Sequence, residues 1–211
     1  MSASYAEFEW RDAAPANGES GVSLTQEFIR IITRLEGVER ICDLGCGNGY
    51  LAGKLAALGY DVTGVDASPS GIEIARHTYA QAKFIFAAVD GSLPQDAQAG
   101  TFDLVVSSDV IEHLYRPADL LEAAARVLKP KGQILIGTPY HGYLKNLALG
   151  LSGRMDAHFC VLDDGGHIKF FSVKTLSTLL QKHGFTDLKF KFYGRAPLLW
   201  KNMICHGHKR A

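Results

Sequence analysis

The sequence DLGCGNG, residues 43–49, connects a strand pattern to a helix pattern through three closely spaced glycines. The residues before it, Arg40–Leu44, predict a buried strand, and the residues after it, Tyr50–Leu58, predict a helix. Glycines at such a connection let backbone N–H groups approach a ligand without obstruction from a Cβ atom. The stretch therefore predicts a ligand-binding loop at the carboxyl end of the first strand.

Acidic residues follow the next two predicted strands. Asp66 follows the strand Asp61–Val65, and Asp90 follows the strand Lys83–Ala88. The carboxyl ends of parallel strands meet at one edge of a sheet, where Asp66 is placed to accept hydrogen bonds from ribose hydroxyls. A nicotinamide-dependent dehydrogenase is disfavoured, because Tyr50 occupies the sixth place of the GxGxxG fingerprint, where glycine is expected.

The rest of the chain alternates strand and helix patterns, which is typical of repeated βα units and a mostly parallel sheet. Ser68 and Pro69 predict the start of the third helix, with Ser68 as its N-cap and Pro69 at its first position. A loop-rich segment is expected over residues 139–171. The other predicted helices are Leu24–Leu35, Pro117–Leu128 and Val173–His183, and the other predicted strands are Phe102–Ser107, Gln133–Thr138, Thr186–Tyr193 and Trp200–His206.

The composition predicts one folded domain. The chain has 211 residues, 47% of them apolar, and equal numbers of acidic and basic side chains, which is unlike disordered or polycationic sequences. We interpret residues 1–211 as a single domain, with residues 1–23 as an N-terminal cap and residues 139–171 as a lid. The chain lacks a bilayer-length apolar run and a signal-like start, which indicates a cytoplasmic protein. Its four cysteines lack CxxC spacing and are expected to be free thiols.

The net charge of the chain is zero, but the charges are unevenly distributed along it. Residues 169–211 carry nine basic side chains and a single acid, Asp187. These lysines and arginines either solvate exposed faces, as the alternation of Lys189–Phe192 indicates, or face an anionic substrate, RNA or a membrane surface.

These motifs resemble those of class I S-adenosylmethionine-dependent methyltransferases, and the resemblance runs from about Leu24 to the end of the chain. DLGCGNG resembles the family's cofactor loop, GVDAS its ribose-binding acid and AAVDGSLP its adenine-side acid. FDLVVSSDVIEHL and LEAAARVLKPKGQILIGTP resemble the regions of its fourth and fifth strands. The resemblance implies an α/β, Rossmann-like fold whose seven-stranded sheet is mostly parallel, with an antiparallel last strand and helices on both faces. It also implies S-adenosylmethionine as cofactor and S-adenosylhomocysteine as product.

The same resemblance assigns parts of the cofactor to individual residues. Asp43 and the loop backbone are expected to hold the methionine end, Asp66 the ribose, and Asp90 with Gly91 the adenine. The alternative is that the loop only packs a helix on the sheet and that the acids cap turns. The implied cofactor-binding residues are Asp43, Gly45, Cys46, Gly47, Asn48, Gly49, Asp66, Ala67, Asp90, Gly91 and Ser108.

Asp109, Glu112 and His113 follow the fourth strand with a spacing that puts all three on one face of a helical turn. The pattern resembles that of two family branches, the ubiquinone-biosynthesis O-methyltransferases and the small-RNA 3′-terminal 2′-O-methyltransferases. There it resembles a divalent-metal site (Mg²⁺, Mn²⁺ or Zn²⁺) completed by a later histidine, for which His167 is the candidate. Asp109 departs from the pattern, because those branches have the longer glutamate at this position.

The same residues are also compatible with two mechanisms that use no metal. A histidine can remove the acceptor's proton directly, and the candidates are His113, His141 and His167. Alternatively, the protein only aligns the reactants and excludes water, since methyl transfer from a sulfonium is an in-line displacement.

Aromatic and histidine side chains are concentrated in residues 139–171, where this fold places the methyl acceptor. Tyr5, Phe8 and Trp10 are expected to fold over the same site from the N-terminus. We predict O-methylation of a small aromatic or quinol-type hydroxyl, with peripheral membrane contact through the basic C-terminal segment. The alternatives are an RNA 2′-O-methyltransferase, for which no separate RNA-binding module is visible, and a non-catalytic S-adenosylmethionine-binding scaffold.

Overall fold

Strands and helices alternate along the computed structural model, which describes residues 9–15, 18–89, 93, 99–159, 162, 166–195 and 197–210. Each predicted strand and helix is present, with shifted ends. The strands are β1 Arg40–Leu44, β2 Asp61–Asp66, β3 Lys83–Phe86, β4 Phe102–Ser108, β5 Leu128–Pro139, β6 Phe185–Tyr193 and β7 Asn202–Lys209. The helices are α1 Glu19–Ile32, α2 Tyr50–Ala57, α3 Pro69–Thr78, α4 Pro117–Val127, α5 Tyr143–Leu151, α6 Met155–Phe159 and α7 Val173–Lys182, and a 3-10 turn spans Ile111–His113.

The strands form one seven-stranded sheet in the order β3-β2-β1-β4-β5-β7-β6. Strands β1 to β5 pair in parallel, whereas β7 runs antiparallel to both β5 and β6. The predicted fold class, a mostly parallel sheet with an antiparallel last strand, is therefore confirmed. The direction of winding changes between β1 and β4, and sheets of this kind bind ligands beyond the carboxyl ends of the strands at that point.

Helices cover both faces of the sheet because apolar side chains alternate along its strands. In β1, Cys42 and Leu44 join the core on one face, while Ile41 joins the core on the other. Helices α1, α2 and α3 pack on the face of Ile41, and helices α4 and α7 pack on the opposite face. The two cores hold the strand ends in place, and with them the loops that form the candidate site.

The segment of residues 139–171 contains two helices, α5 and α6, which the prediction of a loop-rich segment missed. Helix α5 exposes Tyr143, Leu147 and Leu151 but buries Lys145 and Leu149. Its apolar residues therefore do not form the buried stripe by which a sequence pattern reveals a helix.

Two other element ends differ from the prediction. β5 begins at Leu128, whereas the strand was predicted to begin at Gln133, and its pairing with β4 shifts register after Phe102. Helix α1 begins at Glu19, inside the segment interpreted as an N-terminal cap, because its first turn precedes its first buried residue, Leu24.

Several local predictions are confirmed. The Ser68 hydroxyl accepts a hydrogen bond from the backbone N–H of Gly71 at 3.2 Å, so Ser68 caps α3. Cys42, Cys46 and Cys205 are free, buried thiols, while Cys160 lies outside the described residues.

Among the described residues, every helix is too short or too polar to cross a bilayer.

Candidate active site

The glycine loop lies beyond the carboxyl ends of β1 and β2. Gly45, Gly47 and Gly49 all have positive φ angles, which side chains with a Cβ atom rarely adopt. The backbone N–H of Gly45 donates to the Val65 carbonyl at 2.8 Å, which ties the loop to the end of β2. A Cβ atom at Gly45 would lie 2.3 Å from Cγ2 of Val110, so the segment after β4 packs directly on the loop.

Asp66 holds the loop and the start of α3 together. Its carboxylate accepts hydrogen bonds from the backbone N–H of Gly47 at 2.7 Å and from that of Ser68 at 2.8 Å. Burial raises the pKa of Asp66, while N–H donors from Ser68, Gly47 and Ala67 lower it. Asp66 therefore organises the backbone where the loop meets α3, and its binding of a ribose stays a prediction.

Asp43, the last acid before the loop, is 1% exposed, and its Oδ2 has no hydrogen-bond partner. Burial, with the nearby charge of Asp66, raises its pKa to about 8, against the opposing effect of an N–H donor from Ala52. An unpartnered buried carboxyl oxygen is costly, and such groups are commonly kept for a ligand. Asp43 therefore fits the expected role of binding the cationic end of a cofactor.

The other predicted cofactor residues divide into two groups. Ala67 is exposed beside Asp66, and Ser108 ends β4, where it pairs with Gly137 of β5. Asp90 and Gly91, the predicted adenine-binding residues, lie outside the described residues, and their role stays a prediction.

The segment after β4 carries the acid pair Asp109 and Glu112. Asp109 has a positive φ of 52°, and its backbone N–H donates to the Gly137 carbonyl at 3.0 Å. Glu112 is 1% exposed, and its Oε2 accepts a hydrogen bond from Thr138 Oγ1 at 2.9 Å. Thr138 was not predicted, because it belongs to β5 and the sequence gives no signal that its hydroxyl reaches Glu112.

Burial is the main influence on this acid pair. It raises the pKa of Glu112 well above its usual value, and the neighbouring charge of Asp109 raises it further. Burial also raises the pKa of Asp109, while the charge of Lys201 and a hydrogen bond with Glu112 lower it. One proton shared within the pair, carried by Glu112, is the consistent state of two close carboxyls.

His113 and His167 complete a cluster around Glu112. Their ring centroids lie 4.8 Å apart, and Nε2 of His167 lies 4.0 Å from Oε1 of Glu112, which has no hydrogen-bond partner. The backbone N–H groups of Ile168 and Lys169 both donate to the Glu112 carbonyl at 2.9 Å, which positions His167.

These three residues could hold a metal ion, since one ligand atom from each of Glu112, His113 and His167 lies within 4.8 Å of the others. Asp109, the fourth predicted ligand, is not a member of this group of three. Its charge acts on the cluster by raising the pKa of Glu112.

His141 lies next to the cluster among aromatic rings. Its backbone N–H donates to the Phe171 carbonyl at 2.9 Å, and its ring lies 4.9 Å from that of Phe170 and 5.9 Å from that of Phe159. Burial, with the charge of Lys145, lowers the pKa of His141 to about 4. Burial, with the charge of His113, lowers the pKa of His167 to about 4. Both imidazoles are therefore neutral at neutral pH and able to accept a proton.

Two further basic side chains lie in this region, and one of them, Lys145, was not predicted as part of the site. His158 of α6 lies 5.5 Å, ring to ring, from His141. Lys145 is 2% exposed, and its ammonium donates to the Tyr140 carbonyl at 2.5 Å, while burial lowers its pKa to about 8. Both residues lie in helices that the sequence pattern missed.

The N-terminal segment reaches the glycine loop. The ring of Trp10 packs on Gly47, and the side chain of Asn48 donates to backbone carbonyls of Asp12 and Ala14. Trp10 was predicted to fold over the acceptor site, and the structure places it on the cofactor loop. Tyr5 and Phe8, predicted to act with Trp10, lie outside the described residues.

A Rossmann-like sheet with a glycine loop at its switch point and an acid after β2 defines a nucleotide-binding class of protein. Within that class, the profile of the methyltransferase domain family matches residues 19–189 of this chain. The chain belongs to the methyltransferase domain family.

The curated relatives described below are O-methyltransferases. The mitochondrial ubiquinone biosynthesis O-methyltransferase of Schizosaccharomyces pombe is 37% identical over 175 residues, which cover 77% of this chain and 61% of the relative. The ubiquinone biosynthesis O-methyltransferase of Caulobacter sp. is 38% identical over 128 residues, which cover 57% of this chain and 48% of the relative. The chain thus spans between about half and three fifths of the length of these two relatives.

Solved structures share the fold. A SAM-dependent methyltransferase from Archaeoglobus fulgidus superposes with a TM-score of 0.71 at 19% identity, covering 91% of this chain and 95% of that one. Phosphoethanolamine N-methyltransferase 2 from Haemonchus contortus, in complex with S-adenosyl-L-methionine, superposes with a TM-score of 0.65 at 16% identity, covering 94% of this chain and 54% of that one.

Proposed function

We propose that the protein transfers a methyl group from S-adenosylmethionine to a hydroxyl of a small aromatic or quinol-type molecule. One observation carries the proposal: Val110 packs on Gly45 of the loop and stands between Asp109 and Glu112 in the sequence. The predicted cofactor loop and the acid–histidine cluster are therefore contiguous, as methyl transfer to a nearby acceptor requires. The names of the curated relatives, ubiquinone biosynthesis O-methyltransferases, support the acceptor class.

The cofactor supplies an electrophilic methyl group, and the chain's residues bind and orient its parts. The unpartnered buried Oδ2 of Asp43 suits an ammonium group, and the carboxylate of Asp66 suits ribose hydroxyls. We retain the predicted contributions of the loop backbone, Ala67 and Ser108, and those of Asp90 and Gly91.

A hydroxyl acceptor must also lose a proton. His113, His141 and His167 are the candidate bases. The lowered pKa values of His141 and His167 leave those two rings unprotonated at neutral pH. His167 is more accessible than Glu112, with 37% of its side chain exposed against 1%. The protonated Glu112 is then a positioning group for His167, and His113 packs against the same ring.

A divalent metal at the cluster is the alternative way to activate the acceptor. Glu112, His113 and His167 would hold it, and the unpartnered Oε1 of Glu112 fits a ligand role. One carboxylate and two imidazoles suit Zn²⁺ or Mn²⁺ better than Mg²⁺. Such an ion would lower the pKa of a bound hydroxyl. Metal analysis of protein purified without a histidine tag, compared with His167→Ala, tests this alternative, which fails if both preparations lack stoichiometric metal and activity survives a chelator.

Four rings support an aromatic acceptor. His141, His158, Phe159 and Phe170 contact one another with centroid distances between 4.9 and 5.9 Å. They include the candidate base His141, and the exposed ring of Phe170 offers a face against which an aromatic ring can stack.

Peripheral membrane contact and a cytoplasmic location are retained as separate proposals. The first was predicted for the basic C-terminal segment, where Lys189 is exposed, and helix α5 adds the apolar residues Tyr143, which is 79% exposed, and Leu151, which is 82% exposed. Sedimentation with anionic phospholipid vesicles tests membrane contact, and Tyr143→Ser with Leu151→Ser should reduce the bound fraction. Cell fractionation tests the location, since the relative from Schizosaccharomyces pombe is named as mitochondrial.

The proposed reaction is tested with radiolabelled S-adenosylmethionine, the purified protein and an extract of the native cell. The products are separated into organic-soluble, aqueous small-molecule, RNA and protein fractions, with and without chelator. Label in the organic fraction supports the proposed acceptor class. Label in RNA, increasing at low salt, would replace it with the RNA methyltransferase, and binding without any labelled product would favour the non-catalytic scaffold.

A further inference from the structure

Residues 10–14, here called the N-terminal strap, lie across the glycine loop and the start of α3. A Cβ atom at Gly47 would lie 2.3 Å from Cζ2 of Trp10, and one at Gly71 would lie 2.9 Å from Cδ1 of Trp10. The indole ring is therefore in contact with the backbones of both glycines. A residue with a side chain at either position would displace the ring. Trp10 covers the junction between the loop and helix α3.

Hydrogen bonds hold both ends of the strap against the loop and α3. The backbone N–H of Trp10 donates to Oγ of Ser70 at 3.1 Å. The side-chain amide of Asn48, which is 1% exposed, donates to the Asp12 carbonyl at 2.9 Å and to the Ala14 carbonyl at 2.6 Å. The strap contains neither a helix nor a strand, so its position depends on these contacts with the loop and α3.

The strap and Asp66 act on the same piece of backbone. Asp66 accepts the N–H of Gly47, the residue on which the Trp10 ring rests. The ring packs on the Cα side of Gly47, whose φ of 52° is a conformation that residues with a Cβ atom rarely adopt. Both Trp10 and Asp66 therefore contact the backbone of Gly47.

We propose that Trp10 is a positioning residue for the cofactor: it acts through Gly47 and keeps the loop and Asp66 in the arrangement that receives S-adenosylmethionine. The inference rests on the proposed cofactor site. Because coupling between two binding events is reciprocal, a cofactor that selects this loop arrangement must also hold the strap in place. The N-terminal strap then closes when the cofactor binds and opens more often when it leaves.

The first test measures the affinity for S-adenosylhomocysteine by calorimetry in the full chain. Trp10→Ala is expected to raise its Kd at least about tenfold, as the loss of an aromatic anchor commonly does, whereas Trp10→Phe should change it by less than about threefold. Trp200→Phe is the matched control, because Trp200 packs on Phe192 away from the loop. In turnover assays, Trp10→Ala should raise the KM for S-adenosylmethionine and leave the KM for the acceptor unchanged, which a general loss of folding would not do.

The second test uses the wild-type protein and does not depend on the folding of a variant. Arg11, an exposed residue of the strap, is a trypsin site, and Arg34, an exposed residue of the turn after α1, is an internal control site. Saturating S-adenosylhomocysteine is expected to slow cleavage after Arg11 at least about fivefold and to leave cleavage after Arg34 unchanged, because the strap is coupled to the ligand.

The outcomes separate the inference from the proposed function. A wild-type protein that binds no S-adenosylhomocysteine contradicts the cofactor site itself, and the inference with it. A wild-type protein that binds it, with equal affinity in Trp10→Ala or with equal cleavage at Arg11 in its presence and absence, overturns the role of Trp10 alone. If Trp10→Ala does not fold, the cleavage test decides.

Discussion

The Asp66 carboxylate accepts a hydrogen bond from the backbone N–H of Gly47 at 2.7 Å, so the acid that ends β2 organises the loop that follows β1. Gly47 follows β1 and Asp66 ends β2, and these neighbouring parallel strands have their carboxyl ends at the same edge of the sheet. Asp66 thus holds the loop in place, and the same side chain is expected to bind the ligand.

Replacing Asp66 with alanine should therefore weaken cofactor binding strongly. We expect Asp66→Ala to raise the Kd for S-adenosylhomocysteine about 30- to 100-fold, because hydrogen bonds to a charged group contribute about 1.5–3 kcal/mol. Calorimetry measures the change. Asp61→Ala, which alters an exposed acid at the opposite end of β2, is the control and should bind normally. An unchanged Kd in Asp66→Ala would remove the ribose assignment.

Thr138 should affect catalysis more than binding. Its hydroxyl donates to the buried Glu112, and Thr138→Val leaves Oε2 of Glu112 without this donor. We expect about a tenfold loss of kcat, in the range found when groups that orient active-site ligands are removed, with the Kd for S-adenosylhomocysteine almost unchanged. Thr178→Val, on the surface of α7, is the control. A normal kcat in Thr138→Val would show that the hydrogen bond does not orient the cluster.

Phe28 should be a major contributor to stability. It is fully buried in α1 and packs against Gly137 of β5, where an added Cβ atom would lie 2.7 Å from its ring. We expect Phe28→Ala to lower the free energy of unfolding by about 3–5 kcal/mol, as measured by urea denaturation. Leu58→Ala, at a site that is 53% exposed, should change it by less than about 0.5 kcal/mol. Equal losses in the two variants would contradict the packing of α1 on the sheet.

The protein should lose stability in mild acid partly through His206. Burial lowers the pKa of this imidazole to about 4, and its Nε2 lies 2.8 Å from Oε1 of Gln133. Between about pH 6.5 and pH 4 the unfolded chain binds a proton that the folded chain does not, so stability falls as the pH decreases through this range. His206→Gln should flatten the fall in Tm between pH 7 and pH 4.5, whereas exposed His77→Gln should not. Parallel Tm curves for His206→Gln and the wild type would refute this contribution.

Much of the fold could be predicted because its signals are local. The apolar run of β1, the glycines after it and the cap formed by Ser68 and Pro69 each depend on a few adjacent residues. Helix α5 could not be predicted in this way, because it exposes leucines and buries Lys145. Such a pattern contradicts the usual hydrophobic periodicity, and only packing in three dimensions resolves it.

The sequence by itself determined the class of fold and the order of the chemistry along the chain: the loop at residues 43–49, Asp66 after β2, and Asp109 with Glu112 after β4. The tertiary structure alone decided which of these residues meet. Thr138 donates a hydrogen bond to Glu112, Val110 packs on Gly45, and Trp10 lies on the glycine loop and not on the expected acceptor side. The physical reason is that strand patterns follow from side-chain alternation over a few residues, whereas these contacts join segments far apart in the chain, whose approach depends on the whole sheet.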